Sequence, residues 1–230
     1  MQRFVLLASI SLIAAYWTIT ALSAVSMTPV ETVEGVRAIA LYVCAVAVGA
    51  TILFAALLRG SGERFGDLGF QPTTAAPWSW SASLRMIAIG LPLGLVAGAL
   101  VGGGSSPDGA GDETSVFTAL AREPNGPFWL VVMAVVGGGY LEELMRAFCL
   151  TRFERVFGRG GLVAAVAVDS VVFGLGHRYQ GDAAVVVTAV LGLVFAGIFL
   201  WRRRVLDAMI AHGAWDLFGV LAISVAARSG

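Results

Sequence analysis

The sequence predicts an all-α membrane protein, and three observations lead to that prediction. The chain has 230 residues, of which 58% are hydrophobic and only 13% are charged, whereas soluble domains carry about 25% charged residues. Its mean hydropathy is +0.84. About seven stretches reach the roughly 20 apolar residues that a membrane span needs. We therefore expect a polytopic bundle of about seven transmembrane helices around a polar intramembrane cavity.

The predicted spans and the arginines between them give one consistent topology. The spans are residues 4–26, 36–58, 84–104, 128–150, 161–180, 183–201 and 205–226. Arginines follow the second, fourth and sixth spans, at Arg59 and Arg64, at Arg152, Arg155 and Arg159, and at Arg202, Arg203 and Arg204. Because cytoplasmic loops retain positive charge, this pattern predicts a multi-pass protein with a cytoplasmic N-terminus.

Composition bears on the source of the chain and on its partners. All 15 basic residues are arginine, which together with the Ala, Gly and Val content suggests a bacterial genome of high GC content and hence a bacterial plasma membrane. The formal net charge is zero, so nothing indicates nucleic-acid binding. The lipid bilayer is the expected partner.

The first span could also be read as a secretory signal, because residues 21–24 resemble a small-residue cleavage site. The apolar core of a signal peptide is only about 7–15 residues long, however, and the apolar run here is longer. We therefore expect a retained first helix.

Two adjacent carboxylates, Glu142 and Glu143, lie in the fourth predicted span. Ionisable side chains at membrane depth are costly and usually serve a function. Arg146 is one helical turn from Glu142, whereas Glu143 is rotated by about 100° from its neighbour. We therefore expect Glu142 and Arg146 to pair and Glu143 to point elsewhere. The alternative is that Glu142 and Arg146 only neutralise each other near the end of the span.

The two histidines of the chain each lie in an apolar stretch with a partner four residues away. Phe173 precedes His177, and Asp216 follows His212, so each pair shares a helix face. An imidazole beside a carboxylate can position water or bind zinc, although the helical signature of two histidines four apart is absent. Alone, His177 could equally be an interfacial residue without a task. We expect Asp169 to hydrogen-bond to a neighbouring helix.

Taken in order, these motifs resemble the CPBP family, the CAAX proteases and bacteriocin-processing enzymes. That family includes the Ras-converting prenyl endopeptidases and the lysostaphin-resistance-protein-A-like proteins. Its pattern is Glu-Glu-x-x-x-Arg, then Phe-x-x-x-His, then His-x-x-x-Asn/Asp, matched here by Glu142-Glu143…Arg146, Phe173…His177 and His212…Asp216. The resemblance covers roughly residues 125–225. It divides the chain into N-terminal transmembrane helices and loops, 1–124, and a catalytic core, 125–230.

One departure from the family pattern concerns the spacing of the first motif. Only Leu144 and Met145 separate Glu143 from Arg146, where the family has three residues. Keeping Arg146 in register places Glu142 on the second glutamate of the family and Leu141 on the first, which is the catalytic base. Keeping the glutamate pair in register requires a one-residue deletion, which is a rotation of about 100° in a helix.

The resemblance implies an intramembrane glutamic or metallo-endopeptidase acting on a membrane-associated peptide or a CAAX-like protein terminus. In that interpretation Glu142 or Glu143 activates water, and Arg146 holds the other carboxylate. His177, His212 and Asp216 orient the water and stabilise the oxyanion, and His177 and His212 bind zinc if zinc is present.

Two other classes of function stay open. A non-catalytic protein of the same fold could be an immunity factor or a binding scaffold for another membrane protein. A small transporter would also place carboxylates and histidines at membrane depth, but the sequence has neither repeated halves nor paired broken helices.

Overall fold

The computed structural model describes residues 2–24, 33–70 and 120–229, together with the isolated residues 88, 92 and 96. Within these ranges the chain is helical and contains no strand. Its α-helices are α1 (Gln2–Ser23), α2 (Val33–Gly60), α3 (Gly126–Val132), α4 (Glu143–Gly176), α5 (Asp182–Arg202) and α6 (Val205–Ser229). A π-helix, π1 (Met133–Glu142), joins α3 to α4, and 3₁₀ turns cover Phe65–Leu68 and Arg178–Gln180.

Helix α4 is a hairpin that turns at Gly158. This residue has φ 67° and ψ −156°, a conformation that essentially only glycine adopts. Arg146 and Asp169 lie on opposite sides of it, 23 residues apart, which in a straight helix would separate them by roughly 34 Å. Instead Arg146 Nε and Asp169 Oδ2 are 3.2 Å apart. The first arm (143–157) and the second arm (159–176) therefore run antiparallel.

The membrane-helix class predicted from composition is confirmed. Five helical segments in the described parts of the chain are long and apolar enough to cross a bilayer: Gln2–Ser23, Arg37–Gly60, Gly126–Gly176, Asp182–Arg202 and Val205–Val225. The 51-residue segment contains the α4 hairpin, so it covers the predicted span 128–150 and most of the predicted span 161–180. The predicted span 84–104 lies outside the described residues, and the count of seven stays a prediction.

Helices from both predicted regions of the chain share one apolar core. Phe54 of α2 stacks on Phe148 of α4, with ring centroids 4.2 Å apart and planes 7° apart. Trp17 of α1 packs on Phe153 of α4 at 5.0 Å. Inside a membrane such close packing, rather than exclusion of water, is the main source of helix association.

Two glycines bring π1 and α6 into close contact. A Cβ atom on Gly139 would lie 3.1 Å from Cα of Gly213 and 3.1 Å from the carbonyl oxygen of Met209. Small residues at such a crossing allow the backbones of membrane helices to approach. The crossing places Glu142, at the end of π1, close to His212 of α6.

The arginine-rich segments meet at one end of the bundle. Arg152 and Arg155 both pair with Glu63, and Arg203 pairs with Glu154, with Nη2 2.9 Å from Oε1. Burial raises the pKa of the Glu63 carboxyl, but the hydrogen bonds from Arg152 and Ser61 outweigh it and lower that pKa below its ordinary value. The arginine-rich segments that the sequence predicts on one side of the membrane therefore lie at the same end of the bundle. That this end faces the cytoplasm stays a prediction.

Glu63→Gln should destabilise this end, because the buried Arg152 then loses its carboxylate. Breaking a fully buried ion pair costs about 3–5 kcal/mol, and we expect less here because Glu63 is 15% exposed. A carboxyl whose pKa is lowered on folding stabilises the folded protein at pH values above its ordinary pKa. That stabilisation is lost as the pH falls through the lowered pKa. The gap in thermal unfolding midpoint between wild type and variant, measured in detergent, should therefore narrow in acid.

The matched control is Glu154→Gln, which breaks the pair with the exposed Arg203. Exposed ion pairs contribute about 0–1 kcal/mol, so this variant should shift the midpoint less than Glu63→Gln. Equal midpoint shifts in the two variants would contradict the role of Glu63 as the partner of the buried Arg152. So would a midpoint difference between wild type and Glu63→Gln that does not change with pH.

Candidate functional site

The candidate site is centred on the imidazole of His212, which is buried on α6. Its Nδ1 lies 2.8 Å from Oε1 of Glu143. Its Nε2 lies 3.6 Å from Oε2 of Glu142 and 3.6 Å from Oδ2 of Asp216. Three carboxylates, carried by π1, α4 and α6, therefore surround one ring, and we call these four residues the His212 cluster.

Arg146 pairs with Glu143 and not, as the sequence predicted, with Glu142. Its Nη1 donates a hydrogen bond to Oε1 of Glu143. The expectation that Glu143 points elsewhere was wrong as well. Its premise was an uninterrupted α-helix, but the chain enters α4 from the π-helix that ends at Glu142, and a π-helix has a wider turn. Residues three apart in α4 are also neighbours, which allows the Glu143–Arg146 pair.

A second carboxylate holds the other edge of the Arg146 guanidinium. Nε of Arg146 donates to Oδ2 of Asp169 at 3.2 Å, and Nε1 of Trp17 donates to Oδ1 of the same carboxylate at 3.1 Å. The expected hydrogen bond from Asp169 to a neighbouring helix is thereby confirmed, with α1 as that helix. Sequence reasoning missed Trp17, since a tryptophan in a mostly apolar helix without charged residues nearby carries no distinguishing pattern.

Two phenylalanines enclose the charged groups. Phe195 of α5 stacks on the His212 ring, with centroids 4.2 Å apart and planes 15° apart, and Phe173 meets that ring edge-on at 5.8 Å. Cζ of Arg146 lies 4.6 Å from the centroid of Phe173. An apolar lining of this kind strengthens the electrostatic interactions that it surrounds. Phe195 was also missed, because nothing separates it from the other apolar residues of α5.

His177 contacts the Phe173 ring edge-on, with the ring centroids 4.6 Å apart. Its Nδ1 donates to the carbonyl oxygen of Phe173 at 2.8 Å, since a carbonyl can only accept. Phe173 therefore contacts both imidazoles, and His177 is a neighbour of the His212 cluster.

Gly138 of π1 provides the space that the cluster occupies. A Cβ atom at this position would lie 2.0 Å from Oδ2 of Asp216 and 3.2 Å from Nε2 of His212. Any larger residue would displace the Asp216 carboxylate. The run Gly137-Gly138-Gly139 directly before the glutamates is the sequence signal that could have revealed this close approach.

The carboxylate oxygens at the cluster are not all engaged. Oε2 of Glu142 and Oε2 of Glu143 are buried and have no hydrogen-bond partner among the described residues. A separation of 3.6 Å between Glu142 Oε2 and His212 Nε2 exceeds a direct hydrogen bond and suits one bridging polar group. A water molecule or a substrate atom held there would meet a carboxylate and an imidazole at once.

The described residues contain no preformed cluster of metal ligands around the two histidines. No group of three or more His, Cys, Asp or Glu side chains in the described ranges is arranged to hold a metal ion. Nδ1 of His177 is bonded to its own helix and Nδ1 of His212 to Glu143. The zinc expectation for His177 and His212 therefore stays a prediction, which metal analysis of the purified protein would test.

Comparison with known proteins finds a family model that matches this segment of the chain. Residues 124–218 match the family model of Rce1-like proteins, described as type II CAAX prenyl endopeptidases. The matched range contains every residue of the His212 cluster together with Arg146 and His177, and it confirms the resemblance to the CPBP family. At family level it supports a CAAX-protease-type membrane endopeptidase. Neither the curated proteins nor the solved structures gave a significant match.

Arg146→Met should destabilise the protein more than Glu143→Gln. The first change leaves two buried carboxylates, those of Glu143 and Asp169, without their shared cation, whereas the second leaves Arg146 paired with Asp169. Removing one partner of a buried ion pair costs about 3–5 kcal/mol. Thermal unfolding midpoints in detergent should follow that order.

Arg155→Met serves as the control, because Arg155 is exposed on the same helix. It should cost about 1 kcal/mol or less. If Arg146→Met shifted the midpoint no further than this control, Arg146 would not be the compensating charge of the site.

Proposed function

We propose that the protein is an intramembrane endopeptidase in which Glu142 activates a water molecule for attack on a peptide bond. The observation that carries this proposal is the placement of Glu142 Oε2 and Asp216 Oδ2 around Nε2 of His212, each at 3.6 Å. Three such groups at membrane depth are costly unless they serve a function. The match of this segment to an endopeptidase family supports the same conclusion.

Glu142 is the better candidate for the base than Glu143. Glu143 is 1% exposed and already accepts hydrogen bonds from Arg146 and His212. Glu142 is 31% exposed, and its Oε2 has no hydrogen-bond partner among the described residues. A general base must reach the proton that it removes. The Glu143–Arg146 pair also favours the register in which Glu142 corresponds to the first glutamate of the family.

Glu143 acts in this proposal by orienting His212. An ionised carboxylate only accepts hydrogen bonds, so Nδ1 of His212 carries the proton that it shares with Glu143. Nε2 is then directed towards Glu142 and Asp216. Arg146 donates to the same oxygen of Glu143, Oε1, and so holds that carboxylate in place.

In the proposed reaction Glu142 first accepts a proton and later returns it. Its carboxylate takes a proton from the water as the water oxygen bonds to the carbonyl carbon, and it later gives that proton to the amine that leaves when the C–N bond breaks. The negative charge on the former carbonyl oxygen needs donors. In the imidazolium form His177 and His212 still present an Nε2–H, because each Nδ1 is engaged within the protein.

The proposed substrate is a membrane-associated peptide or the C-terminal segment of a membrane protein, cleaved in a bacterial plasma membrane. Prenylation belongs to the description of the matched family. A non-catalytic scaffold or immunity factor is the alternative, and the short spacing between Glu143 and Arg146 favours it.

Glu142→Gln should abolish cleavage while the protein remains folded, because the side chain is partly exposed and takes no part in the Arg146 network. General acid–base groups contribute roughly 10²–10⁴-fold, so we expect a loss of at least about 100-fold. The assay would use purified protein in liposomes and a panel of quenched peptides, with and without a prenylated C-terminal cysteine.

Glu154→Gln is the matched control for this assay, since it makes the same change outside the His212 cluster. It should keep wild-type activity. Wild-type cleavage by Glu142→Gln would exclude Glu142 as the base. A biological effect that survives in the His177→Ala/His212→Ala double variant would favour the scaffold.

Gly138→Ala should impair cleavage through Asp216. The added methyl would lie 2.0 Å from Asp216 Oδ2, so that carboxylate must move away from His212. Gly137→Ala is the control, since its methyl meets only Cγ1 of Val43, at 3.4 Å, an ordinary packing distance. The turnover rate in the same peptide assay should fall for Gly138→Ala only, and equal rates for the two variants would argue against a role for Asp216.

A further inference from the structure

We propose that Asp169 and Trp17 are positioning residues for the His212 cluster, so that α1, which lies outside residues 124–218, contributes to the active site. This inference rests on the proposed peptidase function, and it extends that function to two residues that none of the three motifs contains.

An unbroken series of polar contacts carries the inference. Trp17 Nε1 donates to Asp169 Oδ1 at 3.1 Å, and Arg146 Nε donates to Asp169 Oδ2 at 3.2 Å. Arg146 Nη1 donates to Glu143 Oε1, which lies 2.8 Å from Nδ1 of His212. The series passes from α1 through both arms of α4 to α6, and every one of these residues is buried.

The guanidinium of Arg146 is the link whose orientation matters. It is a planar fork with donors in fixed directions, so holding its Nε edge decides where its Nη1 points. Asp169 holds that edge, and the ring of Phe173 lies 4.6 Å from Cζ. Without Asp169, Glu143 would be the carboxylate left to orient the Arg146 guanidinium. That guanidinium is the group that positions Glu143.

Position 169 requires a carboxylate for a chemical reason. Two N–H donors arrive from different helices, one at each oxygen. An ionised carboxylate accepts at both oxygens, whereas an amide accepts at one and presents an NH₂ group at the other. Asp169→Asn therefore keeps the shape of the side chain but must lose one of the two bonds, either to Trp17 or to Arg146.

The first measurement reports on His212 without any substrate. The chain has two histidines, so in a His177→Ala background a ¹⁵N-histidine NMR spectrum of the full-length protein in detergent contains His212 alone. We expect a protonated Nδ1, because that nitrogen donates to Glu143. Asp169→Asn should shift both nitrogen signals away from their wild-type positions. Unchanged signals would overturn the proposal, even if the stability of the protein fell.

The second measurement separates positioning from general stabilisation. In the peptide assay Asp169→Asn should lower kcat by roughly 10–100-fold, the range known for outer-shell partners of functional imidazoles in metal sites, with KM unchanged. The control is Asp182→Asn, which makes the same change at an exposed residue and should leave both constants at wild-type values. A change confined to KM would contradict a positioning role.

Trp17→Phe provides a second variant that keeps the ring and removes only the donor to Asp169. It should shift the His212 signals in the same direction as Asp169→Asn but by less, and the double variant should be no worse than Asp169→Asn alone, because both residues act through one path. Trp201→Phe, at an exposed ring, is its control. Additive effects of the two changes would overturn the shared path. If no peptide is cleaved even by wild type, the peptidase proposal fails, whereas the NMR signals still decide whether Asp169 orients His212.

Discussion

The polar groups of the candidate site depend on one cation, the buried guanidinium of Arg146. Arg146 faces two carboxylates, Glu143 on its own arm of α4 and Asp169 on the other. A buried charge without a partner is far more costly than a buried pair, so the positions of both acids follow from that of the guanidinium. Through Glu143 the same constraint reaches His212, and with it the geometry to which we assign catalysis.

Backbone packing supplies the second condition for the site. The crossing of π1 and α6 at Gly139 and Gly213 lets the two helices approach closely enough for carboxylates of one to reach the histidine of the other. Gly138 leaves the space in which Asp216 lies. Glycine is therefore as necessary to the site as the ionisable residues, although it contributes no chemistry of its own.

Motif spacing predicted much of the site and failed where local geometry departs from an ideal helix. Charged residues in apolar stretches are conspicuous, and Glu142, Glu143, His212 and Asp216 do meet. The partner of Arg146 was wrong because no apolar composition reveals a π-helix such as Met133–Glu142. Trp17 and Phe195 were missed because their neighbours in sequence are uncharged, so neither periodicity nor charge distinguishes the residues that touch polar groups.

The turn at Gly158 has a consequence for how the chain enters the membrane. A charged side chain at the centre of a span costs about 2.5–3.5 kcal/mol to insert. Because the arms of α4 are sequential and antiparallel, Arg146 meets both of its carboxylates within one local hairpin, before α5 or α6 is needed. The hairpin can therefore be inserted as a unit whose cation is already compensated, and the helix that carries His212 docks onto a preformed polar surface.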